Sequence, residues 1–434
     1  MALAPRLPSI RALRHRNFRL FFGGQLISLI GTWMQSVAQS WLVYSLTGST
    51  VLLGLVGFAS QIPVFLLAPI GGVVADAVNR NRVVIATQTS SMVLASILAA
   101  LTISGHIQIW QIFLLASLLG VVNAFDIPAR QAFIVEMVGR EDLVNAIALN
   151  SSMVNGARLV GPAIAGILVS LVGEGWCFAA NALSYIAVIA GLLLMDVPER
   201  IIQPQAGSAL RSISEGFGFV AATPPVRALM LLLGLVSLMG MPYSTLMPVF
   251  ADRILGAGAG GLGVLMGMSG AGALIGALAL AAKRSLRGLG RWVAWSSAAF
   301  GVSLILFSLS RTFWLSALLL VPVGCSMMVQ MASSNTLIQS MIPDHLRGRV
   351  MSIYSMMFMG MAPFGALMAG ALAHRLDAAA TVAVGGVACL AGAAIFGVRL
   401  QAFRTAAREI ILALQAAGGE PAAAASVPSV VKEG

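Results

Sequence analysis

The sequence predicts an all-α integral membrane protein: twelve transmembrane helices in two pseudo-symmetric six-helix halves. Three observations predict it. Of 434 residues, 59% are hydrophobic and only 9% are charged, at a mean hydropathy of +0.93; soluble domains carry about 25% charged residues. Apolar runs of roughly 20 residues, the length needed to cross a bilayer, recur along the chain. The basic residues fall almost entirely on alternate connections between those runs.

The runs lie at 19–46, 50–75, 82–104, 109–137, 144–172 and 176–196, then at 226–251, 259–282, 291–310, 313–340, 350–374 and 378–399. The first follows a basic arm but is long and lacks a small-residue cleavage pattern, so it reads as a retained helix rather than a signal peptide. The one long connection, 196–225, carries Pro198, Pro204, Pro224 and Pro225 and divides the spans six plus six. This gives an arm at 1–17, a half at 18–196, a middle loop at 197–225, a half at 226–399 and a tail at 400–434. In the tail, Arg404 and Arg408 against Phe403, Ile411 and Leu414 predict a basic amphipathic helix over 400–415. Beyond Gly418 the Ala/Pro-rich composition predicts disorder.

Of the 26 Lys and Arg residues, only Arg253, Arg311 and Arg375 fall on the side opposite the termini, and Arg158 lies inside a span. The positive-inside rule then places both termini in the cytoplasm of a bacterial inner membrane. The net charge of +11 is therefore topological and needs no nucleic acid partner. Cys177, Cys325 and Cys389 stand singly, which excludes a disulfide framework or zinc site. His15, His106, His345 and His374 lie at span ends with no HExxH, and no GxxxxGK[ST] loop occurs. No catalytic residue, metal or cofactor is expected.

The halves echo each other. Gly54 and Arg82 match Gly263 and Arg291 at one offset, Glu141-Asp142-Leu143 resembles Asp344-His345-Leu346, and Gly161 and Gly166 parallel Gly365 and Gly370. Two halves of like orientation imply a parallel duplication, with a site at their interface.

Between spans two and three lies a charged connection, Gly72-Val73-Val74-Ala75-Asp76-Ala77-Val78-Asn79-Arg80-Asn81-Arg82, read as a surface loop. Its pattern of Gly72, Asp76, Arg80 and Arg82 resembles the signature loop of the major facilitator superfamily. Ala77 and Asn79 depart from the usual residues, and Asn79 tolerates a left-handed turn. A weaker copy near Lys283–Arg291 lacks the acid. Further runs resemble the branch of transmembrane secretion effectors that includes the enterobactin exporter. They are Phe125-Asp126-Ile127-Pro128-Ala129-Arg130-Gln131-Ala132, Leu143-x-Asn145-Ala146, Gly161-Pro162-Ala163-x-x-Gly166 and Leu346-Arg347-Gly348-Arg349-Val350. The resemblance covers about residues 18–400 and implies export of a small molecule. It makes the Gly72–Arg82 element a gate latch at one membrane face. The set Gly161, Pro162 and Gly166 resembles the superfamily's antiporter motif in span five; close helix packing is the alternative.

Polar residues inside the membrane turn away from lipid. Span one gives Gln25, Ser28, Thr32, Gln35 and Gln39 on one helical face. Span five gives Ser151, Asn155 and Arg158, span four Asn123, Asp126 and Arg130, and span ten Ser326, Gln330 and Ser333 or Ser334. Such stripes either line a substrate cavity or join helices by hydrogen bonds. On the cavity reading, Gln25, Thr32, Gln35, Gln39, Asn155, Arg158 and Gln330 face substrate. Arg158 sits at mid-depth and meets either an anionic substrate group or an acid. Asp126, about 25 Å along its helix at 1.5 Å per residue, either pairs with Arg130 at i,i+4 or carries a coupling proton. Ten methionines between Met327 and Met368 supply adaptable apolar surface.

The expected function is a monomeric, proton-coupled secondary transporter that exports a siderophore, drug or metabolite by alternating access, with the bilayer as its other partner. The alternatives are a lysophospholipid flippase and a non-transporting membrane sensor or assembly subunit.

Overall fold

The computed structural model describes residues 10–139, 141–196, 209–283, 288–343 and 346–416. A 3-10 turn, Arg11–Arg14, leads into α1 (Arg16–Thr47), α2 (Thr50–Ala77), α3 (Arg80–Ile103), α4 (Ile109–Val138), α5 (Leu143–Val172) and α6 (Glu174–Leu193). There follow α7 (Ala209–Ala222) and α8 (Pro224–Ile254), then α9 (Gly258–Ala281), α10 (Leu289–Leu309), α11 (Phe313–Ser340), α12 (Arg347–Leu376), α13 (Ala378–Val398) and α14 (Leu400–Ala416).

Eleven of these, α2 to α6 and α8 to α13, are long and apolar enough to cross a bilayer. At 32 residues α1 is longer still, but its Gln, Ser and Thr stripe lowers its hydropathy. It completes the twelve. The helices start and stop where local chemistry dictates. Ser49 caps α2 by accepting from the Leu52 amide, and Asp377 caps α13 from Ala380. Gly48, at φ +60°, ends α1 in the left-handed conformation that glycine permits.

The Gly72–Arg82 connection differs from expectation. Helix α2 runs to Ala77 and α3 starts at Arg80, so the linker is only Val78 and Asn79. Asn79 adopts φ −60°, ψ 115°, an extended conformation and not a left-handed one, and its side chain accepts from the Arg82 amide. It is the N-cap of α3, which closes the turn in two residues. In the expected middle loop, Ala209–Ala222 is helical; residues 197–208 lie outside the described residues. The tail helix forms as α14 and buries Phe403 and Ala407; the segment beyond Gly418 also lies outside them.

Two compact units emerge. Among the described residues, the first holds 10–196 with Thr245–Gly270 and Ala366–Arg375; the second holds those within 209–244, 271–365 and 376–416. In the first, Phe18, Phe21, Val84, Phe133, Val188 and Leu192 form the apolar core at the end where α1 begins. At that end the chain is tied by polar contacts. The Asn145 side-chain Oδ1 accepts from the Ala12 amide, His15 bonds Asp142, and the Asn81 side chain donates to the Leu192 carbonyl.

At the opposite end of this unit, glycine brings backbones together. A Cβ on Gly54 of α2 would lie 2.5 Å from the Ala366 carbonyl and 3.0 Å from Gly370 Cα on α12. One on Gly263 of α9 would lie 2.6 Å from Gly166 Cα on α5. Only hydrogen side chains allow these approaches. Arg253 reinforces this end by reaching the Gly48 carbonyl and lying over the Tyr44 ring.

In the second unit, Val226, Leu229, Leu233, Val293, Ile338, Val350 and Phe403 form the core. Arg349, from the Arg347-Gly348-Arg349 run, pairs with Glu215 of α7. Helix α8 is interrupted by a π turn at Val236–Gly240 and a 3-10 turn at Met241–Ser244.

Candidate functional site

The Gly72–Arg82 element builds from Arg80 outward. Starting α3 directly after a two-residue linker turns the Arg80 side chain back under α2 and across to α4. Its Nε donates to the Ala75 carbonyl at 3.1 Å; Nη1 donates to the Ala132 carbonyl at 3.0 Å and to Glu136 Oε1 at 2.9 Å. Arg80 is only 8% exposed. One guanidinium therefore binds the last turn of α2 to α4, meeting a carbonyl left open at a helix end. Gly72 lies in α2 with open space beside it, and Arg82 is in the first turn of α3. Asp76 is in the last turn of α2; its side chain lies outside the described residues. In the weaker copy, Lys283 Nζ sits 5.1 Å over the Trp292 ring, and residues 284–287 lie outside them too.

A polar layer fills the middle of the first unit. Asp126 of α4 is 3% exposed. Its Oδ1 accepts from Thr87 Oγ1 and Gln88 Nε2 of α3, each at 2.8 Å. Its Oδ2 lies 3.3 Å from Arg130 Nε, the i,i+4 partner expected for it. A carboxylate this deep needs such a set, because an unpaired buried charge is strongly unfavourable. Arg158 does not belong to this layer.

The α1 stripe points into the same unit. Gln35 Oε1 accepts from Asn181 Nδ2 of α6 at 2.6 Å, and Thr32 Oγ1 is 3.5 Å from the Tyr185 hydroxyl. Asn181 Oδ1 also meets Ser184 Oγ at 3.1 Å. Gly24 and Gly31 let α1 approach α6 closely enough for this. Gln25 is buried with Oε1 unbonded among the described residues, while Gln39 is half-buried. The geometry of Thr32 and Gln35 is that of interhelical hydrogen bonding.

In α5, Asn155 Nδ2 bonds the Ser151 carbonyl of its own helix. The Arg158 guanidinium lies over the Trp33 ring of α1, 5.4 Å from its centroid. Among the described residues no carboxylate reaches salt-bridge distance of Arg158. Pro162 has no amide to offer the Arg158 carbonyl four residues back; that carbonyl lies where a Cβ on Gly270 of α9 would come within 2.8 Å. Gly161 fits against Trp33 and Ile30 of α1, and Gly166 against Gly263 of α9. The span-five set thus packs two helices at once.

In the second unit, Gln330, Ser333 and Ser334 of α11 are fully buried, and Gln330 Nε2 and both hydroxyls have no partner among the described residues. The cysteines are single, and no group that could hold a metal occurs among the described residues.

The sequence reading overlooked Glu136, Thr87, Gln88, Trp33 and the α6 set Asn181, Ser184 and Tyr185. The last has helical spacing, a pattern open to the same stripe test that marked α1.

Apolar helices long enough to cross a bilayer, with polar and ionic side chains buried among them, define an integral membrane protein. The profile of the transmembrane secretion effector family matches residues 8–416, and the chain belongs to that family of major facilitator transporters. The staphyloferrin A transporter of Staphylococcus aureus is 26% identical over 380 residues, covering 87% of this chain and 95% of that protein. The enterobactin exporter of Shigella boydii serotype 4 is 26% identical over 87% of this chain and 90% of its own length. The multidrug efflux pump Tap of Mycolicibacterium fortuitum is 28% identical over 81% of this chain and 88% of its own. The nucleoside transporter NupG shares the fold, with a TM-score of 0.65 and 16% identity over 91% of this chain and 98% of that one. The protein is a multi-pass small-molecule transporter of the major facilitator type.

Proposed function

We propose that the protein exports a small organic molecule, a siderophore, drug or metabolite, from the cytoplasm of a bacterium in exchange for protons. Its termini and the Arg80 end face the cytoplasm, by the distribution of basic residues. The segments 18–196 and 226–399 are the halves that alternate access. Support for export comes from relatives named for siderophore transport and drug efflux, matched over most of their length.

The observation that carries the coupling is Asp126, a buried acid held by two neutral donors and one arginine. Losing or gaining a proton there changes the charge balance of the layer. Arg158, over Trp33 and with no acid at salt-bridge distance among the described residues, suits an anionic group of the cargo. Asn155, Gln39 and Gln25 complete the candidate wall of the first unit, Gln330 is the candidate of the second, and Thr32 and Gln35 hold α1 to α6. The Gly72, Asp76, Arg80 and Arg82 element latches the cytoplasmic end, and Gly161, Pro162 and Gly166 keep α5 close to α1 and α9.

The test is transport in inside-out vesicles with a panel of siderophores, drugs and lysolipids, with and without a pH gradient. The expected result is gradient-stimulated uptake of one class and loss of that stimulation in Asp126→Asn. Stimulation fully retained in Asp126→Asn removes Asp126 as the coupling site. Movement of lysolipid alone makes the protein a flippase.

A further inference from the structure

The hydrogen bonding around Asp126 leaves one oxygen over. Gln88 is buried and its Nε2 donates to Asp126 Oδ1, which fixes the orientation of the carboxamide. Its Oε1 then has no donor among the described residues. Thr87, the other α3 partner, sits between two acceptors: its hydroxyl is 2.8 Å from Asp126 Oδ1 and 2.9 Å from the Val84 carbonyl. Both side chains can therefore donate to Asp126 or accept from it. Glutamine has this property because its two ends are of similar shape and opposite polarity.

We infer that Gln88 is the positioning residue that reads the protonation state of Asp126, turning its carboxamide over when the carboxylate gains a proton. The inference rests on the proposal that Asp126 binds the coupling proton. The step is simple to balance. A hydronium ion gives its proton to Oδ1: one O–H bond of hydronium breaks to leave water, one O–H bond forms on Asp126, and the carboxylate charge is discharged. A carboxylic acid on Oδ1 needs an acceptor where the carboxylate needed a donor. Rotation by half a turn about the last side-chain bond puts Oε1 in the place of Nε2, so the oxygen without a partner acquires one. Thr87 turns its hydroxyl to the Val84 carbonyl in the same step. Arg130 loses its anionic partner, so the layer passes from neutral to positive.

The titratable groups around Asp126 are few. Arg130 faces it from α4 itself, and Tyr185 of α6 is the other titratable side chain in electrostatic contact. From α3 come Thr87 and Gln88, both neutral; Arg80 at the start of that helix is engaged with Glu136. From α1, α2 and α5 no described charged side chain bonds it. Only one end of the carboxamide is bonded at a time, Nε2 to the carboxylate or Oε1 to the acid, and the other end then has no partner among the described residues. The protonation state of Asp126 selects which end that is, and this selection is what a two-state reader needs.

Infrared difference spectra between acidic and neutral pH test it, on the full chain in liposomes with and without 13C-labelled glutamine. The expected spectrum gains a carboxylic-acid band that Asp126→Asn abolishes. Coupled to it, a glutamine side-chain carbonyl band moves to lower frequency. In Gln88→Leu and Gln88→Met the acid band remains but lies higher, as for an acid without a strong acceptor, and the glutamine displacement is gone. An acid band accompanied by identical glutamine bands in wild type and both variants overturns the reader while leaving the proton site intact. No Asp126-dependent acid band at any pH at which the protein stays folded overturns the proton proposal and the reader with it.

Discussion

Replacing Arg80 by alanine is the most informative perturbation of the α2–α4 junction. The side chain of Arg80 is 9% exposed and that of Glu136 is 21% exposed. Its removal takes a cation from Glu136 and donors from the Ala75 and Ala132 carbonyls. Removing one partner of a fully buried pair costs about 3–5 kcal/mol, whereas exposed pairs contribute about 1 kcal/mol or less. Water reaches part of Glu136, so the expected loss for Arg80→Ala is about 2–4 kcal/mol. Glu136→Gln keeps an oxygen acceptor and loses only the charge assistance, at a cost of about 1–2 kcal/mol.

The double variant should be more stable than the sum of the two losses by about 1–2 kcal/mol, because the second change removes a charge the first left without this partner. Equilibrium unfolding in mixed micelles, followed by tryptophan fluorescence, gives the four stabilities of the cycle. If the two substitutions add to within about 0.3 kcal/mol, the pair does not hold α2 and α3 to α4, and Arg80 acts through its carbonyl contacts alone.

Two more outcomes follow from the site. Arg158→Ala and Arg158→Lys should each reduce export of an anionic substrate at least tenfold at normal expression. Trp33→Leu should weaken transport less, since a cation–π contact contributes about 0.5–2 kcal/mol; wild-type export in both Arg158 variants refutes the assignment. Gly263→Leu should force α9 away from Gly166 and favour the state open at that end. It should raise labelling of a cysteine placed at Gly260 by a membrane-impermeant maleimide, and unchanged labelling refutes the role of the glycine seam.

Much of the fold was legible because lipid demands long apolar runs with internally bonded backbone, and the runs at 109–137 and 313–340 end within a residue or two of α4 and α11. The Gly72–Arg82 turn was less legible. Polar residues there suggested a loop, yet Asn79 can cap a helix, so the chain turns in two residues. The Asp126–Arg130 pair was legible from i,i+4 spacing alone. Its α3 partners were not, because Thr87 and Gln88 lie 39 and 38 residues away, and no local pattern reports which neighbouring helix a buried acid will face. The same limit applied to α1. Spacing showed that Gln35 and Thr32 share a face, but only tertiary packing decides that this face meets Asn181 and Tyr185.

The glycine seams between α5 and α9, and between α2 and α12, have a kinetic consequence. At Gly166 against Gly263, and at Gly54 against Gly370, backbone meets backbone. Such surfaces have no rotamers to freeze when they close and none to release when they part. They are held by dispersion and by weak Cα–H contacts to carbonyls, each small and without a strict direction. At the α2–α12 seam Thr50 Oγ1 also donates to the Gly370 carbonyl at 3.1 Å, so parting it breaks one hydrogen bond, whereas parting the α5–α9 seam at Gly166 waits for no side chain to rearrange. The seams behave as low-friction closures at the end of the unit opposite the strongly bonded junction at Arg80.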